Sequence, residues 1–120
     1  MTRVVEVRTY TLHPGGAGEY ERLFRDVALP MLERQGIDVV AAGPSLGDPN
    51  GYYLIRAFDD LAHRQRSEDD FYGTAEWRDG PREPVLALID TYIDLVLELD
   101  EPTIDGLRRV AQHRSSREIE

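Results

Sequence analysis

A chain of 120 residues, 41% of them hydrophobic, is long enough for one domain with its own core. Its net charge of -9, from 23 acids against 14 bases, argues against nucleic acid and against an anionic membrane surface, both of which need a basic face. There is no cysteine and every Lys-or-Arg base is arginine, so disulfides, thiol nucleophiles, iron–sulfur clusters, thiolate zinc sites, Schiff bases and P-loop lysines are all excluded.

The first predicted element is a strand from Arg3 to Leu12. It alternates, yet it sets charges on one face: Val5, Val7, Thr9 and Thr11 point one way, and Val4, Glu6, Arg8, Tyr10 and Leu12 the other. No signal sequence is read ahead of it and no apolar stretch is long enough to span a membrane, so a cytoplasmic location is expected by default. His13-Pro14-Gly15-Gly16 forms a turn. A helix from Ala17 carries Tyr20, Leu23, Phe24, Val27 and Met31 at helical spacing. Pro30 is expected to kink or restart it, and Gly36 to end it. Ile37 to Gly43 reads as strand two and Tyr52 to Phe58 as strand three, with a breaker-rich turn between them.

Asp59 or Asp60 caps a second helix that reaches Tyr72. Gly73 to Gly80 reads as irregular and holds Trp77, and Pro84 to Asp90 as a short helix. Strand four, Thr91 to Asp100, places Ile93, Leu95, Leu97 and Leu99 on one face. Burying those four side chains would contribute on the order of 6–12 kcal/mol before entropy. Residues 1–100 thus form one domain, and 101–120 a polar, arginine-rich tail with at most a loose helix around Ile104 to Val110.

The order β-α-β-β-α-β is the ferredoxin-like split pattern, an α+β fold. It predicts a four-stranded antiparallel sheet with strand one between strands three and four, and two helices on one face. The covered face is expected to be the aliphatic one, with Val5, Val7, Ile93, Leu95, Leu97 and Leu99. The open face would then carry Glu6, Arg8, Tyr10, Tyr52, Leu54, Arg56, Phe58, Tyr92, Asp94, Val96 and Glu98. Half of that set is apolar or aromatic, so a homodimer that closes this face is expected, as stacked sheets or a shared barrel.

The chain resembles the NIPSNAP family, whose members are dimeric α+β barrels. The resemblance rests on Val5-Glu6-Val7-Arg8-Thr9-Tyr10-Thr11-Leu12-His13-Pro14-Gly15, on Gly36, on Tyr53-Leu54-Ile55-Arg56-Ala57-Phe58-Asp59-Asp60-Leu61-Ala62-His63-Arg64, and on Trp77. It spans residues 3 to 98 and leaves the tail outside. It implies the ferredoxin-like fold and the dimer. It carries over no catalytic residue, and Arg56 stands where family members usually place a bulky aromatic, which implies a differently lined pocket.

Arg8, Glu6, Arg56, Asp94 and Glu98 share one sheet face. Arg8 and Arg56 offer forked donors for a carboxylate or carbonyl. The plainer account is a self-satisfied network, with Arg8 on Asp94 or Glu98 and Arg56 on Glu6, and a ligand replacing one partner reconciles the two. Tyr10, Tyr52, Tyr53, Tyr92 and Trp77 suit the walls of a pocket for an aromatic or polyketide-like ligand, or ordinary packing. Arg64 on the second helix either reaches that ligand or pairs with Glu68 one turn on. The candidate ligand site is therefore Arg8, Tyr10, Arg56, Arg64, Trp77, Tyr92 and Asp94. His13, His63 and His113 have no metal spacing, no cofactor motif is read, and His63 is the one position worth testing for haem.

Three functions follow as expectations. The first is a small homodimeric protein that binds a small organic ligand. The second is a cofactor-independent monooxygenase, cyclase or isomerase on an enolisable aromatic substrate, with Arg8 or Arg56 stabilising an enolate and Tyr10 or Asp94 moving a proton. The third is a protein-interaction module that works through the arginine-rich tail.

Overall fold

In the computed structural model, which describes residues 1–109, β1 (Thr2–Leu12) runs through the middle of a four-stranded sheet of order β2-β3-β1-β4. β2 spans Asp38–Pro44, β3 Gly51–Phe58 and β4 Ile89–Asp100, and every neighbouring pair is antiparallel. The register sets Glu6 beside Arg56 and Val96, Arg8 beside Leu54 and Asp94, and Tyr10 beside Tyr52 and Tyr92. The expected strand order is observed.

Between β1 and β2 the chain forms one helical arm: α1 (Ala17–Leu23), a π-helical turn (Phe24–Ala28) and α2 (Leu29–Arg34). Pro30 explains the wide turn. It has no N–H, and its ring crowds the carbonyl four residues back. The Leu29 N–H donates to Phe24 O five residues back, so the arm absorbs the proline without breaking. Gly36, at φ +79°, ends the arm as expected, with the Ile37 N–H turned back to Leu32 O at 3.1 Å. α3 (Leu61–Tyr72) starts at Asp60, whose carboxylate accepts from the His63 N–H at 2.7 Å. The stretch read as irregular contains α4 (Ala75–Asp79), capped by Thr74 on the Trp77 N–H at 3.2 Å. α5 (Arg82–Leu88) then leads straight into β4.

The main core joins Tyr10, Leu12, Tyr52, Leu54 and Phe58 of the sheet to Tyr20, Phe24, Met31, Phe71, Trp77 and Val85 of the helices. The helices therefore lie on the face that carries Glu6, Arg8 and Arg56. This reverses the expected assignment of the two faces. β1 and β2 are parallel, and a crossover between parallel strands takes one hand, so topology selects the covered face regardless of which face is more aliphatic. The helices bring rings, and rings are what this face offers them. Ile93 and Leu95 are left 71% and 61% exposed, so the burial expected for the β4 aliphatics is not realised within the chain.

Part of the aliphatic face is covered from an unexpected quarter. Residues 101–109 are helical, and Ile104, fully buried, packs with Val5, Val40, Ala41 and Ala57. A register shift in β2 between Val39 and Ala41 accompanies the burial of both Val40 and Ala41 here. Arg108 fixes the helix to Asp38 through two hydrogen bonds of 2.7 Å, and Arg3 of β1 holds the same carboxylate at 2.9 Å. Residues 110–120, with His113 and the rest of the expected tail, lie outside the described residues. Ile104→Ala is expected to cost about 2–5 kcal/mol in urea unfolding, because the void beneath it cannot collapse between β-strands. Unchanged stability would contradict the packing of this helix on the sheet.

Candidate functional site

The register of β1, β3 and β4 lines up Glu6, Arg8, Arg56 and Asp94 under α3, and α3 answers with a polar stripe of its own. Arg64, Glu68 and Tyr72 follow at intervals of four, which puts them on one helix face. Glu6 and Arg56 are fully buried at the centre. Arg56 Nε donates to Glu6 Oε1 at 3.0 Å, and its Nη2 donates to the same oxygen. Arg64 Nε donates to Glu6 Oε2 at 2.8 Å. Arg8 grips Asp94 with two bonds, Nε to Oδ1 at 2.6 Å and Nη2 to Oδ2 at 3.0 Å. Arg64 Nη2 also reaches Asp94 Oδ2 at 3.3 Å. The Tyr72 hydroxyl accepts from Arg8 Nη1 at 3.2 Å and from Arg56 Nη1 at 3.1 Å.

Of the predicted site residues, Arg8 and Arg64 both bond Asp94, and Arg56 joins them through Glu6 and Tyr72. Tyr92 joins them through its ring, 4.6 Å from the Arg8 guanidinium carbon. Trp77 stands behind Tyr72, with ring centroids 5.4 Å apart. Tyr10 packs between Tyr20 and Tyr92 at 5.5 and 6.1 Å, at the edge of the cluster. The pairings Arg8–Asp94, Arg56–Glu6 and Arg64–Glu68 match the self-satisfied network read from the sequence, whereas Glu98 accepts from Thr2 instead. Tyr72 was missed. Its spacing from Arg64 and Glu68 was the available signal, obscured because the polar face was expected to lie away from the helices. A pocket of about 480 Å³ lies elsewhere, lined by Thr9, Thr11, Ser45, Asp48 and Tyr53 among others, and shares only Tyr10 with the predicted set.

Three guanidiniums and three carboxyls thus meet in a largely dry space. Burial alone would raise the pKa of Glu6, but a hydrogen bond from Glu68 and the charges of Arg56 and Arg8 hold it down at about 2. Glu68 moves the other way, to about 7, because burial and the neighbouring Glu6 carboxylate outweigh the arginines. Burial likewise raises Tyr10 to about 12. Chemically, this is a carboxylic acid–carboxylate pair backed by fixed positive charge. Among the described residues no group of three His, Cys, Asp or Glu side chains gathers to hold a metal ion, and no helix is long and apolar enough to cross a membrane.

The sequence profile of the NIPSNAP family matches residues 5–92. An uncharacterised NIPSNAP domain protein from Burkholderia xenovorans is 20% identical, covers 82% of this chain and 95% of its own, and superposes with a TM-score of 0.72. A NIPSNAP family protein from Agrobacterium tumefaciens is 16% identical over 82% of this chain and 87% of its own, with a TM-score of 0.76. A putative antibiotic biosynthesis monooxygenase from Bacteroides thetaiotaomicron is 15% identical over 78% and 85%, with a TM-score of 0.58. At these identities the likeness is one of fold. No curated protein matches the chain.

The two shifted carboxyls impose opposite pH dependences on stability. Glu6, depressed in the fold, contributes stability that is present above its ordinary value of 4.5 and lost as pH falls towards 2. Glu68, raised in the fold, contributes stability that is present below 4.5 and lost as pH rises through about 7. Urea unfolding is expected to show wild-type stability declining between about pH 5 and about pH 7, and Glu68→Gln abolishing that decline. The same decline in both proteins would show that Glu68 is not the group responsible.

Proposed function

The chain belongs to the NIPSNAP family, and from that premise we propose that it is a homodimer in which α3 and β4 bound a crevice for a small organic ligand. The observation that carries this reading is Tyr72. Its oxygen accepts two guanidinium N–H groups, so its proton is left to donate, and no protein group among the described residues takes it. Asp94, Arg64 and Tyr72 are partly exposed, and Tyr92 is open to solvent. A ligand oxygen on the Tyr72 hydroxyl would thus meet fixed positive charge, with the exposed ring of Tyr92 for an apolar body.

The dimer rests on the aliphatic sheet face instead of the polar one. Ile93 and Leu95 stand exposed on β4, which is an edge strand. A long aliphatic edge is a liability in water, and a second copy covering it removes that liability.

A second reading, catalysis without a cofactor, is favoured by Glu68. A carboxyl that titrates near neutrality, beside a hydroxyl backed by two guanidiniums, suits proton transfer on an enolisable substrate. Arg8 and Arg56 would supply the charge for an enolate. The proton-moving role expected of Tyr10 or Asp94 passes to Glu68 in this reading: Tyr10 is buried against Tyr20, and Asp94 is committed to Arg8 by two bonds. The likeness to the putative monooxygenase adds analogy of fold.

Native mass spectrometry of the protein purified from its own host tests the first reading. The expected result is a dimer that carries a small organic adduct, and a Tyr72→Phe dimer without it. A bare monomer, or an adduct that Tyr72→Phe retains, would contradict the reading.

A further inference from the structure

The three carboxyls of the cluster are not held equally. Asp94 takes Arg8 at 2.6 and 3.0 Å, and Glu6 takes Arg64 at 2.8 Å and Arg56 at 3.0 Å. Glu68 touches all three arginines and bonds well to none. Its Oε1 lies 3.5 Å from Arg8 Nη2, and its Oε2 lies 3.6 Å from Arg56 Nη2 and 3.3 Å from Arg64 Nε. When Glu68 is ionised, Oε2 is buried with no donor, since the bond to Glu6 needs a proton between the two carboxyls. A buried carboxylate oxygen left in this state is costly. Glu68 also belongs to α3, whereas Glu6 and Asp94 lie on β1 and β4 of the sheet.

Resting on the binding role proposed above, we infer that Glu68 is a displaceable internal anion, keeping the place that the carboxylate of a planar organic acid takes between Arg8, Arg64 and the Tyr72 hydroxyl. Charge balance supports the exchange. Three guanidiniums against Glu6 and Asp94 leave one positive charge, which either Glu68 or a ligand carboxylate neutralises, but not both. A ligand that enters as an anion therefore favours Glu68 in its neutral form. Protonated Glu68 has an acceptor at hand in Glu6. The Tyr72 proton is free for the newcomer, and the Tyr92 ring with Arg8 on one side supplies a flat wall for an aromatic body.

The groups facing Glu68 are Glu6 and Arg8 from β1, Arg56 from β3 and Arg64 from its own helix, and behind those arginines stand their other partners, Asp94 of β4 and Tyr72 of α3. The arginines keep their charge and Glu6 is held low, so proton uptake on ligand entry falls to Glu68.

Benzoate and its neutral analogue benzamide are the probes, with calorimetry for affinity and the Tyr72 ring signals in NMR for location. Wild-type protein is expected to bind benzoate about tenfold more tightly at about pH 6 than at about pH 8. Glu68→Gln is expected to bind at the tighter level at both pH values, and benzamide to show no such dependence. Benzoate that shifts Tyr72 with one affinity at both pH values would overturn the displacement and leave the crevice standing. Probes that never shift Tyr72, in either protein, would overturn the crevice as well. If Glu68→Gln does not fold, the wild-type pair of pH values decides alone.

Discussion

The Glu6–Arg56 pair, buried without exposure between β1 and β3, is the constraint from which the rest of the structure follows. Two charges removed from water need close partners on every side, or the fold loses more than it gains. The sheet supplies Arg8 and Asp94 in register. α3 must supply the remainder, and it does so with a stripe that would be out of place on an ordinary core-facing helix. That is why Arg64, Glu68 and Tyr72 point inward while Leu61 at the start of the same helix is left exposed.

A second consequence concerns the opposite face. Because topology and the rings of Tyr20, Phe24, Phe71 and Trp77 commit the helices to the polar side, the aliphatic side has, among the described residues, only the 101–109 helix to cover it. That helix reaches Val5 and Ala57 but leaves Ile93 and Leu95 exposed. The charged face and the aliphatic face have thus traded the surroundings that polarity alone would assign. The inner one gathers the arginines and carboxyls, and the outer one leaves Ile93 and Leu95 in water.

Much of this was legible in the sequence. Element order, strand order and the arginine–carboxylate pairings follow from alternation, from turn residues and from which positions share a face. Asp60 and Gly36 mark helix ends because their chemistry is local. The side of the sheet that the helices choose is not a local property. An aliphatic row such as Ile93, Leu95, Leu97 and Leu99 suggests burial under the helices, yet Ile93 and Leu95 stay exposed because the helices take the other face. The spacing of Ile104 and Leu107 suggests a helix, but it does not say that the helix docks on the sheet. Tyr72 lay within reach. Its spacing from Arg64 and Glu68 marks one helix face, and only the assumption that the polar sheet face was open kept it out of the site.

The central claim is that three guanidiniums and three carboxyls share a largely dry space in which one carboxyl, Glu68, is the variable charge. Carbon-13 NMR of the side-chain carboxyls across pH tests it directly. The account predicts that Glu68 titrates close to neutrality while Glu6 stays ionised down to about pH 3. Two carboxyls titrating together near their ordinary value would mean that the cluster is wet and its charges independent, and would contradict the account.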